Sequence, residues 1–397
     1  MGSDKLKPVG LRRSFARLLD SLTFRLFSMS NTSLAAVFHE SGVPLTLETY
    51  PLPHLGPGEV LVRITCATIC GSDVHTFLGR RSTPVPTILG HEIIGVVAAA
   101  HRDQPACDYT GRLLQMGDRV TWSIAASCGN CFFCQRDVPQ KCEQLFKYGH
   151  EQVVPEHPLS GGLAEYCHLA AGTAVVTVPN ALPDVVACPA NCATATVAAA
   201  LRVGALCPGE SVLIQGAGML GLTAAAMASS RGAQQVIVCD VDAGRLGRAV
   251  QFGATQTLLV SEDERELIAA VQELTEDRGV DLAVEMSGAT SAVQTGVKLP
   301  RVGGRYVLIG STFPTPPVEL DPEAVVRRCL SIAGNHNYKP GDLADAVSFL
   351  SQHGRDFPFA DLVHDAFLLE QSEEAFKHAI NGKRLRVAVR PSPRTVT

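Results

Sequence analysis

Residue types that handle metals and protons occur together between positions 70 and 92. The sequence CGSDVH begins at Cys70, and the later GHE contains His91. A thiolate and an imidazole are donors that zinc prefers. Ser72 and His75 lie beside the first donor and carry exchangeable protons. Any one of these residues alone is typical of a buried core, but the combination predicts a metal site that takes part in catalysis.

A second group of cysteines has the spacing C-x2-C-x2-C-x7-C, and its members are Cys128, Cys131, Cys134 and Cys142. Four thiolates this close in sequence can surround one zinc ion tetrahedrally, which leaves no position for water or substrate. We therefore predict a structural zinc that holds a loop with little core of its own. The alternative is four unrelated cysteines in a glycine-containing loop.

A glycine-rich turn follows the strand-like segment SVLIQ and precedes a predicted helix that begins near Leu220. Its glycines match G-x-G-x-x-G, in which they allow a tight turn, close approach of a pyrophosphate and packing of the helix on the sheet. The predicted coenzyme-binding residues of this turn are Gly216, Gly218, Met219, Leu220 and Gly221.

The next predicted strand, QVIVCD, ends in an acid at Asp240, 24 residues after Gly216. An acid at this position accepts hydrogen bonds from the adenosine ribose hydroxyls and repels a 2′-phosphate, which predicts NAD rather than NADP. Arg245 makes the preference less sharp, because it could meet a phosphate, border the adenosine pocket or simply be solvated near the start of a helix.

The elements that carry these motifs change character along the chain. Short strands with turn signals continue to about residue 180, and strands then alternate with helices in the order of a doubly wound parallel sheet. The predicted fold class is α/β, with a mostly β catalytic domain and a coenzyme domain. The predicted segments are an N-terminal extension at 1–33, a catalytic domain at 34–192 with its zinc lobe at 128–142, a coenzyme domain at 193–335, and a return to the catalytic domain at 336–397.

The composition of the 397-residue chain excludes two classes of partner. A net charge of −5 without a basic run gives no electrostatic footprint for nucleic acid. No apolar segment approaches the roughly 20 residues that cross a bilayer, so we expect no membrane partner. Hydrophobic residues make up 46% and charged residues 18%, which is ordinary for a globular protein.

Thirteen cysteines without a hydrophobic signal core, and with metal-site spacings, indicate a reducing compartment. We expect a cytoplasmic location, and we expect the seven cysteines outside the metal sites to be mostly small core residues. Residues 1–33 place arginines among leucine and phenylalanine, which is typical of a basic amphipathic helix. This segment is either a mitochondrial presequence or an upstream extension, because Met29 begins the stretch that leads into the first strand.

The motifs CGSDVH, GHE, the four-cysteine lobe and GAGMLG stand in the order found in the zinc-containing medium-chain alcohol dehydrogenase family. The chain resembles that family over nearly its whole length after residue 33. The resemblance implies a GroES-like catalytic domain, a Rossmann domain inserted before the C-terminal return, and an active site in the cleft between them. It also implies a homodimer or homotetramer. GGLAEYCHL and PANCATATVAAAL resemble a subgroup proposed to act in phosphonate breakdown.

The resemblance implies that the third ligand of a catalytic zinc comes from the start of the helix leading into the Rossmann domain. Cys192 stands there, and Thr196 matches the position that contacts the nicotinamide. Cys188, one turn earlier, is the competing choice. Gly71 departs from those members that carry a pyrophosphate-binding arginine after the first ligand, so the phosphate must depend more on the glycine-rich turn.

The resemblance also assigns roles to the remaining side chains of the motif. Ser72 would accept the proton of the alcohol and pass it, through the coenzyme ribose, to His75 and solvent. Asp73 would accept a hydrogen bond from the ligand histidine, and Glu92 would lie behind the metal. For both carboxylates a salt bridge to a nearby arginine is the alternative.

The predicted function is zinc-dependent, NAD-dependent oxidation of a primary or secondary alcohol, with one catalytic and one structural zinc per chain. The alternatives are a non-catalytic relative that binds nucleotide and zinc, and an NADP-dependent aldehyde reductase. Arg80 and Arg81 could face the mouth of the cleft and attract an anionic alcohol, or could simply be solvated. Sorbitol-like polyols and threonine-like amino alcohols are also open as substrates.

Overall fold

A computed structural model describes residues 31–381 and 385–392. The arginine-rich part of the predicted N-terminal extension lies outside the described residues. Within them, no single helix is long and apolar enough to cross a membrane. One bent pair of helices, 184–191 and 193–203, passes that test by length and composition when the two are counted together.

Ten strands and one short helix form the first part of the chain. Glycines with positive φ turn the chain just before two of the sheet strands, at Gly58 and Gly117. The strands are β1 Thr32–Phe38, β2 Thr46–Pro51, β3 Val60–Ile69, β4 Thr87–Ile88, β5 Glu92–Ala100, β6 Arg119–Trp122, β7 Ala125–Ala126, β8 Phe146–Lys147, β9 Tyr166–Leu169 and β10 Val175–Thr177, and the helix is α1 Gly71–Phe77.

Two helices lead from this β region into the coenzyme domain. They are α2 Asp184–Ala187 and α3 Ala193–Val203, and a 3-10 turn, Cys188–Asn191, separates them. The alanine-rich face of α3 is almost completely buried, because small side chains allow neighbouring helices to pack closely.

The coenzyme domain is a six-stranded sheet in which every neighbouring pair is parallel. Its strand order is β13-β12-β11-β14-β15-β16, which confirms the predicted doubly wound fold. The strands are β11 Ser211–Gln215, β12 Gln235–Asp240, β13 Gln256–Leu259, β14 Val280–Glu285, β15 Pro300–Leu308 and β16 Ser331–Gly334. The helices are α4 Met219–Ser230, α5 Ala243–Ala249, α6 Glu264–Leu274, α7 Thr290–Gly296 and α8 Pro322–Arg327.

The C-terminal part of the chain returns to the first sheet, as the resemblance implies. Its elements are α9 Pro340–His353, β17 Val363–Leu368, α10 Ser372–Ile380 and β18 Arg386–Arg390. β18 pairs antiparallel with β3 and parallel with β17, so the main sheet has the order β10-β6-β5-β3-β18-β17, with β9 also on β3. This return places Arg386 beside the end of β3.

The cysteines outside the two predicted metal sites divide into two groups. Four are buried, as expected: Cys66, Cys167, Cys188 and Cys239. The core expectation is wrong for the other three, because Cys107, Cys207 and Cys329 are exposed in loops and turns.

Candidate active site

Three predicted metal ligands from distant parts of the chain meet at one point. Cys70 follows β3 and caps α1, His91 directly precedes β5, and Cys192 caps the N-terminus of α3. Their ligand atoms all lie within 4.8 Å of one another. Two sulfurs and an imidazole nitrogen at this spacing suit zinc with one position left for another ligand.

A buried asparagine fixes Cys192 relative to His91. Asn191 Nδ2 donates to the His91 carbonyl at 3.0 Å, and the Ile93 N–H donates to Asn191 Oδ1 at 3.2 Å. The Tyr338 hydroxyl donates to the Asn191 carbonyl. The sequence reasoning missed Asn191, although its place directly before a predicted ligand was a usable signal.

Asp73 orients the ligand histidine, and the expected hydrogen bond between them is present. Its Oδ1 accepts from His91 Nδ1 at 3.0 Å, and its Oδ2 accepts from the Cys70 N–H at 2.9 Å. A carboxylate on Nδ1 favours the tautomer with a free Nε2, which is the nitrogen that faces the three-donor cluster. The Ser72 hydroxyl lies 3.2 Å from that Nε2.

The electrostatics of the cluster suit a cation. A hydrogen bond from the Cys192 thiol, together with the charge of Arg386, lowers the pKa of the Cys70 thiol well below its usual range. Burial opposes a charge on His91, but Asp73 and Cys70 outweigh it and raise the His91 pKa to about 10. Because this environment favours a thiolate and attracts positive charge, the donor set fits a divalent metal ion.

Glu92 forms a salt bridge with an arginine. Such a salt bridge was the alternative role predicted from the sequence for this carboxylate. Arg386 donates to both of its oxygens, at 2.7 and 2.8 Å, and the Thr68 hydroxyl donates to it at 2.6 Å. Arg386 Nη2 also lies 3.5 Å from Cys70 Sγ. The sequence reasoning missed Arg386, since nothing near position 386 marks it as a partner for Glu92.

Cys188, the competing third ligand, points elsewhere. Its thiol donates to the carbonyls of Glu92 at 3.1 Å and Cys66 at 3.4 Å, and it is not among the clustered donors. The geometry therefore favours Cys192.

The four-cysteine lobe brings its sulfurs together within 4.8 Å over two short 3-10 turns, Cys134–Arg136 and Pro139–Lys141. The N–H groups of Cys128 and Gln144 both donate to Cys142 Sγ at 3.3 Å. Backbone donors to a sulfur stabilise a thiolate, so this donor set also fits zinc, with all four positions filled by protein.

The glycine-rich turn has the geometry that its three glycine roles require. Gly216 has φ of +107°, in the region that favours glycine. A Cβ on Gly221 would lie 1.7 Å from the Gly216 carbonyl oxygen, whereas a Cβ on Gly218 would meet nothing within 4 Å. The space at Gly218, at the N-terminus of α4, leaves room for a phosphate group.

Asp240 is oriented by the same turn. Its two oxygens accept from the N–H groups of Ala217 at 2.6 Å and Asp242 at 2.9 Å. Arg245 Nη1 lies 3.9 Å from the carboxylate. Each carboxylate oxygen keeps a lone pair, so Asp240 remains able to accept hydrogen bonds from a sugar hydroxyl.

A cleft of about 740 Å³ connects the three-donor cluster to the glycine-rich turn. The predicted residues that line it are Cys70, Ser72, His75, Arg80, Arg81, His91, Cys192, Thr196, Met219 and Leu220. The His75 ring contacts that of Phe313 of the coenzyme domain in a tilted arrangement, with ring centroids 4.6 Å apart. Three further lining residues, Lys147, His150 and His336, were not identified from the sequence.

Comparisons with known proteins agree with this architecture. The model of the alcohol dehydrogenase GroES-like domain matches residues 56–180, and that of the zinc-binding dehydrogenase matches residues 220–352. A 5-exo-hydroxycamphor dehydrogenase from Pseudomonas putida is 32% identical over 341 residues, covering 83% of this chain and 92% of that protein. The chain belongs to the zinc-containing medium-chain alcohol dehydrogenase family.

Other members of the zinc-containing alcohol dehydrogenase family are similarly related. A sorbitol dehydrogenase from Bacillus subtilis is 29% identical, covering 90% of this chain and 97% of that protein. An alcohol dehydrogenase structure from Thermotoga maritima is 30% identical, covering 91% and 100%, with a TM-score of 0.85. These relatives identify an oxidoreductase, but their named substrates differ. The resemblance to the phosphonate-breakdown subgroup stays a prediction.

Proposed function

We propose that this family member transfers hydride reversibly between a primary or secondary alcohol and NAD⁺, giving an aldehyde or ketone. Cys70, His91 and Cys192 would hold the catalytic zinc, and the four-cysteine lobe would hold the structural zinc. The observation that carries the proposal is that the three-donor cluster and the glycine-rich turn line one cleft. A hydroxyl group at the cluster and a coenzyme on the turn would therefore meet.

Bound zinc supplies Lewis acidity and bound oxidised nicotinamide supplies a hydride acceptor. Asp73 keeps His91 in the tautomer that leaves Nε2 free as a donor. Ser72, next to that nitrogen, accepts the proton that the alcohol loses. His75, one helical turn after Ser72 on α1, takes the proton onward to solvent. Thr196 and the glycine-rich turn orient the coenzyme.

The preference for NAD is supported by Asp240. Its carboxylate is almost fully buried at the end of β12 and is directed by two backbone donors. A 2′-phosphate at this position would face a fixed negative charge, which costs several kcal/mol when like charges meet in an interface. Arg245, whose side chain is half exposed, would border the adenosine pocket.

The first test is the metal content of the purified protein, measured together with reduction of NAD⁺ by a panel of neutral and anionic alcohols. We expect two zinc ions per chain and zinc-dependent turnover. One zinc ion and no turnover with any alcohol would instead indicate the non-catalytic, nucleotide-binding alternative.

The coenzyme assignment is tested by comparing kcat/KM for NAD⁺ and NADP⁺. We expect Asp240→Ser to reduce the preference for NAD⁺ by about 10- to 100-fold, because the repulsion of a 2′-phosphate is removed. Asp242→Ser is the matched control, since Asp242 caps α5 and carries the same charge two residues away. A wild-type enzyme that prefers NADPH and reduces aldehydes would favour the reductase alternative.

The proposal includes a homodimer or homotetramer. The edge strand β16 leaves Ile332 partly exposed, and Val302 and Val326 nearby in the same edge region are more than half exposed. Light scattering of the native protein and of Ile332→Arg tests this, and a monomeric wild-type protein would contradict it.

A further inference from the structure

Positive charge gathers on the wall of the cleft that borders the three-donor cluster. Arg81 and Lys147 line this wall together with His150 and His336. Among the described residues that line the cleft, none is an aspartate or a glutamate. The acids behind the cluster, Asp73 and Glu92, are fully buried and already hydrogen-bonded. Within the described structure, Arg81 and Lys147 therefore line the cleft without a protein counter-ion.

Lys147 lies at the end of β8 and has no ion pair or hydrogen bond from its ammonium group in the described part of the chain. Glu151, a nearby acid, accepts from the Lys147 backbone N–H at 2.7 Å instead. Burial and the neighbouring charge of Arg81 lower the pKa of Lys147 to about 8. A half-buried ammonium group without a protein partner is stabilised by an anion placed beside it.

His150 supplies an independent observation at the same place. It is only 8% exposed, and neither of its ring nitrogens has a hydrogen-bond partner in the described structure. Its ring centroid lies 5.2 Å from that of His91, so it stands directly beside the predicted metal ligand. Buried polar groups are rarely left unpaired, and a ligand that accepts a hydrogen bond here would satisfy it.

The position of these groups separates them from the phosphate site of the coenzyme. Lys147 lies close enough to Cys192 and Asp73, and His150 to His91 and Cys70, for those charges to act on them. The glycine-rich turn, which would hold the pyrophosphate, lies at the other domain's side of the cleft. The anion that Lys147 and His150 would meet is therefore part of the substrate.

We infer that Lys147, Arg81 and His150 form an oxyanion subsite, and that the substrate is an alcohol carrying a carboxylate, sulfonate or phosphonate group. The inference rests on the proposed alcohol dehydrogenase function and narrows its substrate class. Lys147 and Arg81 donate charge-assisted hydrogen bonds to the oxyanion, and a ring N–H of His150, which has no partner in the described structure, donates another. The oxyanion on this wall positions the hydroxyl group at the three-donor cluster.

The first experiment compares kcat/KM for matched alcohols on the zinc-loaded enzyme. Each pair has the same chain length, for example 1,3-propanediol against 3-hydroxypropanoate and against 2-hydroxyethylphosphonate. We expect the anionic member to be preferred, and Lys147→Met to reduce its kcat/KM by about 10- to 100-fold, mostly through KM. Lys147→Arg should recover much of this loss, and the diol should change little.

Lys298→Met is the matched control, because Lys298 lies in the coenzyme domain and is paired with Glu264 at 2.7 Å. KM for NAD⁺ should be the same in all three variants. A rise in that KM in Lys147→Met would assign the lysine to the coenzyme and overturn the inference. Equal effects of Lys147→Met on the diol and the anions would overturn it as well.

A binding measurement tests the oxyanion subsite without depending on turnover. Calorimetric titration of propylphosphonate and of propanoate, which have no hydroxyl group, should show binding to the zinc-loaded enzyme that weakens in Lys147→Met and at high salt. Turnover of neutral alcohols without such binding would overturn the subsite and leave the proposed function intact. Binding without turnover of any alcohol would support the oxyanion subsite and overturn the proposed dehydrogenase activity.

Discussion

The two sulfur clusters of the molecule are built in opposite ways. The four-cysteine lobe takes all its donors from residues 128–142, and three of the four cysteines are partly exposed. The three-donor cluster takes its donors from positions 70, 91 and 192 and lies at the floor of a cleft. The first supplies four donors and the second supplies three. The difference indicates that a closed site can depend on local sequence, whereas an open site depends on the whole fold.

The largest effect is expected from breaking the three-donor cluster, which is the open site. We expect Cys192→Ala to lose one zinc ion per chain and to lower kcat/KM at least about 1000-fold, because the Lewis acidity of the metal contributes several kcal/mol. Metal analysis and steady-state kinetics measure both effects. Cys188→Ala is the control, since its thiol donates to the Glu92 and Cys66 carbonyls and lies outside the three-donor cluster, and it should keep two zinc ions and most of its turnover. The reverse result would make Cys188 the ligand.

Removing the metal from the closed lobe should instead lower stability. Cys142 is the most buried cysteine of the lobe and accepts two backbone hydrogen bonds. We expect Cys142→Ser to reduce the zinc content from two to one and to lower Tm by about 10 °C. We also expect a protease to cleave the chain within the lobe. The turnover per chain should stay near that of the wild type at low temperature. Cys207→Ser, an exposed cysteine outside both clusters, should change neither quantity.

The closed lobe and the coenzyme turn were predictable from sequence because their chemistry is local. Four cysteines at zinc spacing need no distant partner, and the roles of Gly216 and Gly221 follow from a backbone contact within five residues. The doubly wound sheet was predictable for the same reason, since strands and helices alternate along the chain. Cys192 needed the family resemblance, because Cys188 has an equally suitable side chain.

The residues that the sequence reasoning missed act across long distances in the chain. Arg386 reaches Glu92 only because β18 returns to pair with β3. Asn191 is recognisable as a positioning residue only when His91 is seen beside it. Nothing in the sequence after the lobe distinguishes Lys147, and only the folded structure shows that it lines the cleft. Strand pairing between distant segments decides the contact of Arg386, and the packing of the folded chain decides the other two. Single positions encode neither.

A smaller effect is expected when the orientation of a ligand, rather than the ligand itself, is changed. Asp73→Asn keeps the size of the side chain but can present an N–H to His91 Nδ1, which favours the tautomer that has its proton on Nε2. We expect zinc affinity or kcat to fall by about 10- to 100-fold. Zinc competition with a chromogenic chelator measures the affinity. The lobe should keep its zinc, and an unchanged open site would show that the hydrogen bond has no role there.

The smallest effect is expected from removing an ion pair between the four-cysteine lobe and the rest of the molecule. Asp137 pairs with Lys339 at the start of α9, but its side chain is 79% exposed, and exposed ion pairs contribute little. Asp137 also has φ of +62°, which asparagine tolerates well, so Asp137→Asn removes the charge without straining the backbone. We expect Tm to fall by no more than about 2 °C. A loss comparable to that of Cys142→Ser would mean that this ion pair, and not the metal, holds the lobe in place.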